Sequence, residues 1–399
     1  MKKISLLLIA SSLLIGCGSS DKKKELHISQ DSYAVQTVAS DYSSSQVAIG
    51  NLIGDRSPIQ GLLNQAESNF TLSTYKNYLY HIGKNKIDTI SRYNSTKSIG
   101  KSEWTYDTNQ GDEGSANTYR LIQQSENNAY LIRYGNNSVL QVDPTATSTA
   151  NFVKSRIDLS DYIYPDSSFS RMSDAVISNN KLFVAMQRLD SSWGAQQAYI
   201  AVIDLTTNEE IDTNPQADGL KGIPLNATNT FTLVEYNGQL YAAGRGGYNS
   251  DTGGLDVIDA STYAVTSLID ENSFPSLITF SDDDDSSNDS YYHVTDVAVV
   301  SDNKAYATLN IEQGYQTLET KIVMINPTTQ DLTVLSQPDA INDKEISDLN
   351  VDANDRLWVA IANADAPGIL VMDTDTNTIS GDFIHLDMPA KRIEFLTVQ

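Results

Sequence analysis

The densest run of hard oxygen donors in the chain is Asp282, Asp283, Asp284 and Asp285, followed by Ser286, Ser287, Asn288 and Asp289. Such donors suit calcium, the one cofactor the sequence suggests, although adjacent carboxylates repel and a solvated loop is the competing reading. A second stretch, Trp104 to Gly114, carries Asp107, Asn109, Asp112 and Glu113 but lacks the terminal Glu of a full calcium loop. The four histidines, His27, His81, His293 and His385, are scattered, with no His-x-His or His-Glu-x-x-His spacing that would hold a transition metal. No Gly-x-Ser-x-Gly elbow is present, and the single cysteine, Cys17, leaves no thiol nucleophile further along the chain. What remains is a set of flat rings and guanidinium forks at Arg188, Trp193, Arg245, Tyr248 and Tyr315. They fit a planar or anionic ligand, against a competing reading in which they pack on neighbouring loops. The glycine-rich Gly244 to Tyr248 lacks the strand-to-helix context of a phosphate cradle.

Composition narrows the partners. The 399 residues are 40% hydrophobic and 20% charged, enough for a sizeable core. A formal charge of −24 repels phosphate backbones and excludes nucleic acid. Lys2 and Lys3 precede an apolar run from Ile4 to Ile15 that is too short to span a bilayer, which takes about 20 residues. That is the pattern of a signal peptide rather than an anchor helix. Leu14-Ile15-Gly16-Cys17 closes it and resembles the lipobox of bacterial lipoproteins, in which the cysteine is acylated and the chain is cut before it. The resemblance implies a signal peptide over 1–16, a lipidated Cys17 carrying palmitate-type chains, and a tether over 17–31 rich in Ser and Lys. Gly18, rather than Asp, after the cysteine implies the outer membrane of a Gram-negative envelope.

The rest of the chain repeats. A turn of Asn, Asp or Gly leads into a short apolar strand with an aromatic residue at Tyr80, Tyr130, Phe183, Tyr241, Tyr306 and Trp358, with a weaker first copy at Tyr33. The steps between them run from 47 to 65 residues, close to a propeller blade. A second strand follows each, ending in an apolar residue plus Asp or Asn, as in Val142-Asp143, Ile203-Asp204, Ile258-Asp259, Ile325-Asn326 and Met372-Asp373. The carboxylate or amide there caps backbone N–H groups two residues on and closes a hairpin. The fold expected is all-β: one seven-bladed β-propeller over 32–399, with the last strand-like segment, Arg392 to Val398, completing a blade shared with the N-terminus. The repeat resembles the YVTN-type and quinoprotein-like propellers, a likeness that specifies architecture far better than function.

If the aromatic strand is the second of each blade, the long insertions, Gln187 to Gln197, Gly244 to Gly254, Asn310 to Glu319 and Glu271 to Tyr292, gather on one face around the axial channel. The reading that follows is a lipid-anchored envelope protein, not an enzyme, that captures a small ligand there. By resemblance to surface lipoproteins the cargo is of cobalamin or siderophore type, passed to a TonB-dependent transporter. Two alternatives stand beside it: a protein–protein scaffold at the outer membrane, and a propeller enzyme of quinoprotein-like, lactonase or lyase type. The enzyme would need His81, His293, Arg245 and acidic residues to converge on the channel.

Overall fold

The computed structural model describes residues 26–215, 219–278, 290–314, 316–335, 341 and 344–398. Seven small antiparallel sheets stand around a central axis. Their innermost strands are Phe70–Tyr75, Thr118–Ser125, Met172–Ser178, Thr230–Tyr236, Tyr291–Ser301, Ile346–Val351 and Ala390–Leu396, belonging to blades 1 to 7 in that order. Each inner strand packs against the next, and Ala390–Leu396 packs on Phe70–Tyr75 to complete the circle. Blade 7 is built from both ends of the chain. The C-terminal Ala390–Leu396 is its inner strand and pairs antiparallel with Ser32–Val38 from the N-terminus. The circle is complete, and the unpaired inner edges of the sheets are short and face the channel.

The repeated aromatic strand is the second of each blade and the Ile-Asp strand the third. The strand-three Asp and Asn side chains cap their turns as the sequence implies. Asp204 accepts from the Thr206 N–H at 2.7 Å, Asp259 from Ser261 and Thr262, and Asp373 from Thr376 at 2.9 Å. These N–H bonds, donated to the carboxylates, hold Asp204, Asp259 and Asp373 below the usual carboxylate range. The short turns define one face, called here the turn face. The connections between second and third strands, and those between blades, define the opposite loop face.

Six of the seven repeated aromatics point into the interface with the following blade. Tyr80, Tyr130, Phe183, Tyr241, Tyr306 and Trp358 each anchor one interblade apolar cluster. Tyr33 breaks the pattern. Pairing of Gln36 with Arg392 makes Ala34 the true equivalent, and Ala34 lies in the cluster between blades 7 and 1. Tyr33, one residue off, faces back onto blade 6 and meets Trp358 at 4.9 Å between ring centroids. A one-residue offset in a strand reverses the face a side chain serves, so the first repeat is displaced by one position from the alignment its sequence suggests.

Leu26 and Ile28, within the tether, are joined to the ring. The Ile28 N–H bonds to the Ser95 carbonyl at 2.9 Å and the Ile99 N–H to the Leu26 carbonyl at 2.9 Å. Both apolar side chains join the cluster between blades 7 and 1. Cys17 lies outside the described residues.

Candidate functional site at the axial channel

In six of the seven blades the inner strand carries a β-bulge near its start. A bulge inserts one residue and re-aims the side chains around it. The residues inserted are Tyr119, Ser173, Phe231, Thr295, Ser347 and Lys391, and they line the loop-face end of the channel, a cavity of about 260 Å³. Those that follow are Arg120, Asp174, Thr232, Asp296, Asp348 and Arg392, and they line both this cavity and a second one of about 500 Å³ towards the turn face. The channel is thus divided by a belt of charged side chains.

The acidic members of the belt have a structural task. Asp174 accepts from the Leu233 N–H of the next blade at 3.1 Å, Asp296 from Leu349 at 2.7 Å and Asp348 from Ile393 at 2.8 Å. Each carboxyl therefore joins its inner strand to the neighbouring one. Burial pushes the Asp296 carboxyl up to about 7. It lifts Asp348 well above the carboxylate range, with the Asp296 charge adding to the effect. Glu394 and Asp174 are also raised by burial, while the Arg120 guanidinium pulls both the other way.

The sign of the consequence is fixed. A carboxyl raised in the folded state gives stability below its unfolded value near 3.8 and loses it as pH climbs through the folded one. His81 tilts the same window the opposite way, since burial holds it neutral at about 3 and it loses native stability as pH falls below 6.5. The variant Asp296→Asn separates the two. Relative to wild type it gains stability on going from pH 5 to pH 8, on the order of 2 kcal/mol, measured by urea unfolding across that range.

Arg120 is unusual among the ten arginines of the chain. Eight of them hydrogen-bond to a carboxylate or a carbonyl oxygen: Arg56, Arg92, Arg133, Arg156, Arg188, Arg245, Arg356 and Arg392. Arg120 has Asp174 at 3.5 Å and Glu394 at 3.8 Å, beyond hydrogen-bond geometry, and makes no hydrogen bond among the described residues. Arg171 has neither a carboxylate nor a carbonyl partner among the described residues. Its guanidinium lies over Trp193 at 4.2 Å and over Tyr134 at 5.3 Å.

Those contacts are part of a ladder along the rim. Lys84 sits 5.3 Å from the Tyr119 ring, Tyr119 stacks on Tyr134 at 4.6 Å and 6°, and Arg171 bridges Tyr134 to Trp193. Burial, with the Tyr248 phenol adding to it, pushes both the Tyr119 and the Tyr134 hydroxyls up, so both are neutral donors. Tyr134 uses its hydroxyl on Gln187 at 2.8 Å. Trp193, Phe231 and Tyr248 remain 50%, 43% and 41% exposed. Rigid aromatic faces thus stand beside two guanidinium groups with no hydrogen-bonded carboxylate among the described residues, an arrangement chemically able to meet an anion.

Of the residues the sequence singles out, Trp193 and Tyr248 are at this mouth. Arg245 lies 4.5 Å under the Tyr248 ring and is ion-paired with Glu312. Arg188 is turned away, donating to the Tyr162 and Gln197 carbonyls at 3.1 and 3.2 Å, so it supports the loop rather than facing a ligand. Tyr315 and the Asp282 to Asp285 run lie outside the described residues. In the second acidic stretch, Asp112 is taken by Arg133 and by Arg156 at 2.7 Å. Neither His81, stacked on Phe70 at 4.5 Å, nor His293, bonded through Nδ1 to the Arg245 carbonyl, lines the channel. Sequence reading missed Arg120, Arg171, Tyr119, Tyr134 and the acidic belt. A signal was present: Ser173-Asp174, Thr295-Asp296 and Ser347-Asp348 recur ten or eleven residues ahead of the aromatic position.

Solved structures similar to this chain were found. One, the periplasmic gluconolactonase PpgL of Pseudomonas aeruginosa, is 11% identical with a TM-score of 0.59, over 92% of this chain and 100% of that one. A protein from Lactobacillus plantarum is 13% identical with a TM-score of 0.59, over 92% and 99% of the two chains. A putative 6-phosphogluconolactonase from Bacteroides uniformis is 12% identical with a TM-score of 0.55, over 92% and 99%. The chain shares their seven-bladed propeller fold. At such identities the likeness reaches the fold and no further. No family model matches the chain, and no curated protein matches it by sequence.

Proposed function

We propose that this chain is a non-enzymatic binding protein of the cell envelope, tethered to the outer membrane through a lipid on Cys17, that captures a small anion bearing a flat ring in the loop-face mouth. The carrying observation is that Arg120 and Arg171 alone among the arginines lack a carboxylate or carbonyl hydrogen-bond partner among the described residues, and both lie at one mouth with Tyr119, Tyr134 and Trp193. Arg120 holds its two carboxylates only at ion-pair distance and Arg171 rests on aromatic rings, so both guanidinium groups keep N–H donors for a ligand anion. On a protein of charge −24 the mouth is locally basic, with Lys84, Lys391 and Arg392 beside the two arginines and the Asp296 and Asp348 carboxyls biased toward the neutral form. A cavity of about 260 Å³ with an open aromatic rim suits a small molecule whose ring stays on the rim. Passage to a TonB-dependent transporter is the partner this reading implies.

Native mass spectrometry of the chain purified from its own host's envelope tests it. A defined anion at one per chain, absent from Arg171→Gln, is the expected result; an apo mass with a co-purifying protein transfers the case to a scaffold.

A second reading rests on Asp296. A carboxyl poised at about 7 in a channel shared with Arg120 is the equipment of a general acid or base, and two of the fold neighbours are a gluconolactonase and a putative 6-phosphogluconolactonase. Hydrolysis of sugar lactones by wild type, abolished in Asp296→Asn, would establish it over simple capture.

A further inference from the structure

The direction in which the mouth faces follows from where the chain leaves the ring. Ser32–Val38 is the second strand of blade 7 and so begins on the turn face, and Ala390–Leu396, the inner strand of that blade, ends there. Leu26 and Ile28 are fastened to the turn of blade 1 at Ser95 to Ile99, on the same face. The chain therefore departs from the face opposite Arg120, Arg171 and Trp193.

Nine Cα steps separate Cys17 from Leu26. Whatever their conformation, they span at most about 32 Å. The two faces are separated by the inner strands, of six to eleven residues, which is at least about 20 Å before loops are added. Turning the mouth toward the bilayer would lift the exit point by that whole thickness and consume most of the available reach. Charge does not reverse the balance, because screening at physiological salt acts over about 8 Å.

We infer that the anchored protein stands with its turn face toward the lipid surface and its loop-face mouth toward the aqueous side, so that cargo is met on the side away from the membrane. This rests on the lipid-anchor reading of Cys17. The tether residues Leu26 and Ile28 then act as a clamp that fixes the exit point, not as free linker.

The test uses the full-length, lipidated chain in vesicles of phosphatidylcholine carrying a small fraction of acceptor-labelled lipid. Cys17 is the sole cysteine, so Thr207→Cys on the turn face and Asn249→Cys beside the mouth each give one labelling position. The expected result is strong energy transfer to the bilayer from position 207 and weak transfer from position 249. Equal or stronger transfer from position 249 overturns the orientation while leaving the anchor intact. Failure of the wild-type chain to float with vesicles, with Cys17→Ser behaving identically, overturns the anchor and the orientation with it. Leu26→Asp provides the internal control: releasing the clamp brings the two transfer signals closer together.

Discussion

Replacing Arg120 and Arg171 together by glutamine lowers affinity for the co-purifying anion at least about 100-fold in titration calorimetry. Hydrogen bonds to charged groups contribute roughly 1.5–3 kcal/mol each, and 1.4 kcal/mol is a factor of ten. Two guanidinium forks therefore carry more than two decades even if half their contribution is recovered by water. The single variants differ in character. Arg171→Lys keeps the charge but loses the planar stack between Trp193 and Tyr134, and binding weakens by about tenfold. Arg120→Gln removes the guanidinium that draws Asp174 and Glu394 down, so both rise further and the pH dependence of unfolding steepens. A binding loss confined to Arg245→Ala would instead locate the ligand over blades 4 and 5.

The largest stability loss is expected at Trp358. Its side chain is fully buried at the blade 6 to blade 7 interface, where Tyr33 of the N-terminal strand and Phe395 of the C-terminal strand both lie against it, at 4.9 and 5.7 Å. Its indole N–H donates to Asp352 at 2.8 Å. Trp358→Ala empties the space and leaves a buried carboxylate with one donor fewer, at a cost of about 4 kcal/mol or more. Because the ring touches both ends of the chain, the loss falls on closure. Chemical unfolding should show a lower midpoint, and the Ser32–Val38 amides should exchange faster than those of blade 3. Phe183→Ala, at an interface away from the seam, lowers the midpoint without that local bias.

How legible the molecule was depends on what each residue answers to. The aromatic positions and the Asp-tipped turns repeat because every blade solves the same two problems, filling an interface and closing a hairpin, so Tyr80, Asp204 and their counterparts mark the ring plainly. Tyr33 misled because blade 7 is assembled from two chain ends and its repeat is displaced by one residue. The mouth was only half visible. Trp193 and Tyr248 stand in insertions, which announce themselves by length, and both are there. Arg120 stands at the start of an inner strand and Arg171 just ahead of one, where a basic residue looks like any other; Arg120 is distinguished only by the bulge that aims it inward, and its neighbour Asp174 proves to be occupied by a backbone N–H of the next blade. Arg188 shows the converse, a cation in a long loop that is consumed by two carbonyls. Whether a charge is free is decided by contacts between blades, which sequence order does not carry.

Intrinsic tryptophan fluorescence gives the most direct test of the mouth as an anion site. The chain has three tryptophans; Trp358 is sealed in the core and Trp104 is packed between Tyr106 and Phe152, whereas Trp193 is half exposed on Arg171. A panel of ring-bearing carboxylates should change the emission saturably. Their neutral amides should not, and Trp193→Phe should abolish the response. Equal responses to acid and amide, or a response that persists in Arg120→Gln/Arg171→Gln, would contradict an anion site built on those two guanidinium groups.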